Sequence, residues 1–300
     1  MHSHTHSHNS QNQKTGKLFA IGIGLNLVYI AVELSYGLMA NSAALIADAT
    51  HNASDVLSLI LAWIALALTS KKAYGKYTFG WRKSSILIAI VNAILLFLAI
   101  GIIAVEAAEK FKNPEPIMGT QVMIVAGIGV IINGLTAMLF LNHQHDLNTK
   151  GAFLHMAADA AISLGVVVSG LLIKTTGALW IDPLMSLIIV VIIFWSTWKL
   201  FSDGITLALD AAPPHISVSH VETFLLQIPQ VESIHDLHIW SMSTTEVALS
   251  VHLCMSDDYP SNLLSEIQNQ LSTQFSIEHS TIQLEQAQMN CNSTKCNEKI

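Results

Sequence analysis

Charge is what this chain has least of. Only 12% of its 300 residues are Asp, Glu, Lys or Arg, against 52% hydrophobic, and the mean hydropathy is +0.50. Average soluble domains carry about 25% charged residues, so the balance excludes an ordinary soluble globule and points to a membrane protein. Cysteine is scarce as well. Cys254, Cys291 and Cys296 all lie near the C-terminal end, so the apolar stretches offer no cysteine thiolate to favour a softer ion. The formal charge of −7 comes without a basic stripe, which speaks against a nucleic-acid partner. The first 16 residues lack the charged start, apolar core and cleavage site of a signal peptide. They are polar, with His2, His4, His6 and His8 alternating with small residues, and read as a disordered cytoplasmic tail of weak metal affinity.

What the chain has in quantity is long apolar runs. Pattern places six spans, at roughly 17–40, 44–69, 84–108, 117–142, 150–174 and 179–201, each long enough to cross the hydrocarbon core. Lys and Arg divide unevenly between the connecting segments. With the N-terminus in the cytoplasm, inner segments hold Lys14, Lys17, Lys71, Lys72, Lys76, Arg82, Lys83, Lys150 and Lys199, and outer loops hold Lys110, Lys112 and Lys174. That bias predicts cytoplasmic N- and C-termini. The predicted fold class is a membrane all-α six-helix bundle over 17–202, followed by a cytoplasmic α+β domain over 203–287 and a flexible tail over 288–300.

Inside the spans a His-x-x-x-Asp pair occurs twice, as His51/Asp55 and His155/Asp159. Spacing of four residues puts both side chains of a pair on one helical face. Ionisable groups at membrane depth are costly, and their default reading is a functional site. Two imidazoles and two carboxylates on facing helices make a ligand set suited to tetrahedral Zn2+. Metal needs neutral His and ionised carboxylate, so Zn2+ and protons compete for the same groups, and neighbouring carboxylates without metal capture protons. The two spans run in opposite directions. Measured from their apolar edges, the pairs lie about 22 Å and 8 Å from the inner boundary, which implies that the inner end of the second span projects beyond the membrane beside a wet vestibule. Asp48, on the face of His51, reads first as a hydrogen-bond partner between helices and otherwise as a carboxylate on the ion route. Asn26, Glu33 and Asn92 read similarly, and Glu106 as interfacial.

After Pro213-Pro214 the chain turns soluble in character. Helical apolar spacing over 215–227 and 262–275 and strand alternation over 232–241, 246–255 and 281–285 give the order α-β-β-α-β. The three cysteines in this cytoplasmic region are expected to be reduced or metal-binding rather than disulfide-bonded.

Five segments together carry a resemblance: LIADATHNASD from Leu45, YTFGWR from Tyr77, DLNTKGAFLHMAAD from Asp146, HDLHIW from His235 and TIQLE from Thr281. The chain resembles the cation diffusion facilitator family of metal/proton antiporters over nearly its whole length. The resemblance implies a transport site at His51, Asp55, His155 and Asp159, protons as counter-ion, a ferredoxin-like cytoplasmic domain and a homodimer tightened by metal. It also implies a cytoplasmic metal site at His235, His252 and Glu285, with His279 a weaker candidate and Cys291 and Cys296 candidates for a site of the partner subunit. His238 has the opposite strand parity to His235 and is expected to pack or cap. Some family members carry a site between the second and third spans; here Ser70–Lys83 has no His, Asp or Glu, and no site is predicted there. His143, His145 and Asp146 form a possible capture site or a solvated linker.

Zn2+ is the favoured ion, with Cd2+, Co2+, Fe2+ and Mn2+ as alternatives. An intramembrane zinc hydrolase needs a Glu base as in H-E-x-x-H, and neither HxxxD contains one. A membrane-tethered metal sensor would leave the intramembrane pairs without a role. Short loops favour a bacterial inner membrane over an organelle membrane.

Overall fold

The computed structural model describes residues 24, 27–141, 147–256 and 260–286. The expectations about the N-terminal histidines, Asn26, the 143–146 loop, Cys291 and Cys296 lie outside the described residues. Among the described residues five helices are long and apolar enough to span a membrane: α2 (Ala43–Thr69), α3 (Ser84–Lys112), α4 (Gly119–Leu141), α5 (Leu147–Thr176) and α6 (Ile181–Ala208). Ahead of them α1 (Leu27–Met39) is a shorter apolar helix within the predicted first span. Two compact units divide the chain, one of residues up to Ile60 with Asn92–Trp198, the other of Leu61–Val91 with the residues from Lys199 on.

In the first unit, small residues let the helices close on one another. Ala40, Ala44 and Ala47 are buried with Leu45, Ile100, Val122, Val125, Ile162, Val166 and Ile189. A Cβ on Gly170 would stand 3.0 Å from the Gly119 carbonyl oxygen, so this α4–α5 crossing depends on glycine. Outward-facing Ile102, Leu135, Val191 and Trp195 are exposed, as a lipid-facing surface requires. Along α2, Thr50, Ser54 and Ser58 each return their hydroxyl to the carbonyl four residues earlier, at 2.7–2.8 Å. Those bonds keep a polar stripe satisfied without water.

Asp182 holds the start of α2. It lies on the first turn of α6, fully buried, and accepts from the Ser42 hydroxyl and from the Ala43 and Ala44 amides, the latter two at 2.6 and 3.3 Å. A carboxylate at a helix N-terminus satisfies orphan amides and meets the positive end of the dipole. Since α2 carries His51 and Asp55, this cap anchors the helix that positions them.

In the second unit, Tyr74 and Tyr77 close a short bridge and Gly80 adopts φ +70°. A Cβ there would lie 2.8 Å from the Lys71 carbonyl oxygen, so the glycine of YTFGWR is demanded by the backbone. Tyr77 stacks on Trp81, Arg82 pairs with Glu246 at 3.3 Å, and the Thr244 amide donates to Ser85 at 3.1 Å. The C-terminal elements are α7 (Val218–Leu226), β1 (Val231–Ser241), β2 (Val247–Met255), α8 (Leu263–Phe275) and β3 (His279–Gln286), the predicted α-β-β-α-β order. The sheet order is β1-β2-β3, with β1 antiparallel and β3 parallel to β2. A ferredoxin-like pattern has four strands with a split β-α-β unit; here three strands are described and α8 joins adjacent parallel ones, so that label is not supported. Val221 and Leu225 of α7 and Leu263, Ile267 and Leu271 of α8 pack on Ile239, Leu249, Val251 and Leu253, which covers one sheet face and frees the other for polar side chains.

Replacing Asp182 by Ala strands the α2 amides and should cost roughly 1–3 kcal/mol. Thermal unfolding of the purified protein should show the loss, with Asp182→Asn falling between the two; an unchanged Tm would show that the cap contributes nothing.

Candidate metal centres

Antiparallel helices bring residue i of one level with residue i+4 of the other, and the two HxxxD pairs meet in that way. His51 Nε2 on α2 lies 3.2 Å from Asp159 Oδ1 on α5, and His155 Nε2 on α5 lies 3.3 Å from Asp55 Oδ2 on α2. His155 Nε2 also reaches Asp159 Oδ2 at 3.7 Å. Each histidine therefore faces the aspartate of the other helix. A tetrahedral site with bonds of about 2.0 Å has ligand–ligand edges of about 3.3 Å, close to these separations. Ligand atoms of His51, Asp55 and Asp159 all fall within 4.8 Å of one another. His155 joins through its two carboxylate contacts but stands outside that mutual set; the imidazoles sit edge to face with centroids 6.5 Å apart.

The two pairs thus lie level, although hydropathy edges put them at different depths. Apolar edges locate where a helix turns polar, whereas depth is set by which residues pack side by side. Exposure is graded across the site: 2% for Asp159 and 13% for His51, against 30% for Asp55 and 47% for His155. The more exposed members lie toward the C-terminal end of α2 and the N-terminal end of α5.

Several other polar residues of the spans have partners on the same or a neighbouring helix. Asn92 donates to Ser58 at 2.8 Å, Ser163 on α5 donates to Asp48 at 2.8 Å, and Asn52 donates to Glu33 at 3.1 Å. Glu106 pairs with Lys110 at 3.0 Å.

A second cluster lies on the uncovered sheet face. Register sets His235 opposite His252 and Cys254 opposite Glu285. Glu285 receives His235 Nε2 at 3.0 Å and His252 Nδ1 at 2.8 Å, and the imidazoles lie 4.8 Å apart. These two neighbours, His235 first, hold the Glu285 carboxyl below its ordinary range. Ligand atoms of His235, Cys254 and Glu285 also stand within 4.8 Å of one another.

Three features of this cluster depart from the sequence reading. Asp236 takes φ +55° and makes a bulge, so His235 pairs with His252 while His238 pairs with Ser250. The extra residue returns His238 to the face of His235, and the parity argument fails because it assumed an unbroken strand. His238 is exposed and bonded to Asp236 at 3.0 Å, and Asp236 in turn lies 3.8 Å from His252, an acidic neighbour that strand alternation gave no means of finding. His279 opens β3 opposite Ala248 and rests edge-on against Phe79; six residues along a strand separate it from Glu285 by about 20 Å. Cys254, buried beside the histidines, is disulfide-bonded, and its partner lies outside the described residues. The expectation of a reduced or metal-binding thiol is therefore not met at Cys254, whose sulfur is no longer a thiolate that a metal could take.

The model of the cation efflux transmembrane domain matches residues 19–207, and that of the cytoplasmic domain of cation efflux proteins matches 213–287. A cadmium, cobalt and zinc/H(+)-K(+) antiporter of Bacillus subtilis is 34% identical over 91% of this chain and 90% of its own. The metal cation efflux system protein CzcD of Cupriavidus metallidurans is 35% identical over 89% and 85%, and the zinc transporter ZitB of Escherichia coli 32% over 95% and 91%. A solved metal-bound C-terminal domain of the CzcD transporter is 35% identical over 23% of this chain and 99% of its own, with a TM-score of 0.22, too low to speak to the fold.

The depressed carboxyl of Glu285 has a definite pH signature. Its contribution to stability is complete above its unfolded pKa, near ~4.3, and is lost as pH falls through the lower folded value. Glu285→Gln should flatten the acid side of the stability profile and leave neutral pH less affected; an unaltered acid limb would remove the histidine–Glu285 coupling.

Proposed function

The chain belongs to the cation efflux family of membrane transporters, and we propose that it exports divalent metal ions, Zn2+ foremost, from the cytoplasm in exchange for protons. It is a multi-pass integral membrane protein and a transporter rather than an enzyme. The observation that carries the proposal is the cross-pairing of His51 with Asp159 and of His155 with Asp55 between α2 and α5. Two nitrogens and two oxygens match the borderline character of Zn2+, and Cd2+ is the nearest competitor; an all-oxygen site would suit harder ions better. Relatives bearing cadmium, cobalt and zinc in their names fit that ordering.

Coupling follows from the same groups. Without metal the carboxylates face imidazoles that take up protons; Zn2+ needs those imidazoles neutral, so its arrival displaces them. Entry is from the end where Asp55 and His155 are exposed. With the Lys and Arg bias placing that end in the cytoplasm, the arrangement corresponds to an inward-open state. We read α1 as the described part of a first span, which makes six over 17–202 with both termini cytoplasmic, in a bacterial inner membrane. The domain over 203–287 pairs two copies into a homodimer, and His235, His252 and Glu285 bind metal there as a regulatory site.

In proteoliposomes, Asp55→Ala and Asp159→Ala should each lower Zn2+ flux by at least about tenfold to a hundredfold, the loss that removing even an outer partner of a metal ligand brings. Retained flux in both variants would remove the site. Collapsing the pH gradient should slow transport by the parent protein, and indifference to it would remove the antiport. Zn2+ should compact the C-terminal domain by scattering or donor–acceptor distance, and that response should vanish with His235→Ala and His252→Ala together.

A further inference from the structure

Beside the metal ligands lies a pair of acids that they do not use. Glu33 on α1 and Asp48 on α2 are both fully buried, and their carboxyls face one another within hydrogen-bonding reach. The donors around them fall one short. Tyr29 donates to Glu33 Oε1 at 2.7 Å and also approaches the Val125 carbonyl on α4 at 3.4 Å. Asn52 donates to Glu33 Oε2, and Ser163 donates to Asp48 Oδ2. Asp48 Oδ1 is buried and has no donor. An unpartnered carboxylate oxygen at membrane depth is among the costliest arrangements a protein can hold. One proton shared between the carboxyls supplies the missing donor and removes one of two adjacent buried charges.

We propose that Glu33 and Asp48 form a proton-binding site that holds one proton at rest and releases it when metal arrives one helical turn away. No charged Lys or Arg faces the pair among the described residues. The charged groups near Asp48 are His51 on α2 and Asp159 on α5, and Tyr29 is the remaining titratable neighbour. Asp48 lies three residues before His51, so a divalent ion at the ligands acts on the pair through a low-dielectric interior without touching it. The proton leaves the carboxyl oxygen as H+, and Glu33 and Asp48 are then both ionised against the bound cation. Coupling thus gains a group that metal does not coordinate. The inference rests on the antiport reading and deepens it.

The test counts protons released per Zn2+ bound by the full-length protein, from titration calorimetry in buffers of different ionisation enthalpy. Glu33→Gln should release about one proton fewer than the parent. Its affinity should match the parent's at acid pH and fall behind by up to about tenfold per pH unit as pH rises. Glu33→Asp should restore the release. Undiminished release by a folded Glu33→Gln protein would overturn the proposal and leave Glu33 a structural partner of Tyr29 and Asn52. A deficit that follows K+ rather than pH would overturn it in favour of a monovalent cation site. Infrared difference spectra of the parent protein need no variant: Zn2+ should bleach a protonated-carboxyl band, and a flat carboxyl region would overturn the pair. Parent transport that ignores the pH gradient strikes the antiport reading instead; parent coupling with intact release in Glu33→Gln strikes the pair alone.

Discussion

Charge buried among apolar helices must find its counter-charge within the protein, and here each HxxxD pair finds it on the other helix. A lone His51/Asp55 pair on α2 would leave an imidazole and a carboxylate aimed at a neighbouring helix with nothing to meet. Running α5 against α2 supplies the complementary pair in inverted order, so His51 meets Asp159 and His155 meets Asp55. The four side chains come together for an electrostatic reason that exists before any metal is bound. Packing serves that register. Ala44 and Ala47 keep α2 close to its neighbours, the Gly119–Gly170 approach seats α5 on α4, and Asp182 fixes where α2 begins.

Imidazoles and carboxylates meet in two settings whose surroundings differ. Between α2 and α5 the carboxylates are shielded on one side and reachable on the other, which suits an ion that has to enter and leave. On the C-terminal sheet, His235, His252 and Glu285 occupy the face that α7 and α8 leave uncovered, where water competes and protonation is easily exchanged. Glu33 and Asp48 represent a third setting, fully buried one helical turn from His51, where a proton is the smallest solution to an unpaired oxygen.

That His51, Asp55, His155 and Asp159 come together was legible because HxxxD repeats at fixed spacing in residues that lipid does not tolerate. Their geometry was not, since apolar edges mark where helices become polar and say nothing of which residues of two helices lie level. The Glu33–Asp48 contact joins separate helices and leaves no spacing signal, although Asp48 was legible as an interhelical partner and Ser163 is the residue it meets. On the sheet, pairing of His235 with His252 followed from simple alternation. A single left-handed residue, Asp236, was enough to reverse the reading of His238. His279 misled for a plainer reason, as proximity in sequence to the last strand did not set its position along it.

X-ray absorption at the Zn edge tests the central claim most directly, on full-length protein with His235, His252 and Glu285 replaced so that the ion reports the intramembrane site. The account predicts four light ligands, two imidazole nitrogens and two carboxylate oxygens at about 2.0 Å, with the shell lost in Asp159→Ala. A sulfur shell, or a shell that Asp159→Ala leaves unchanged, would contradict it.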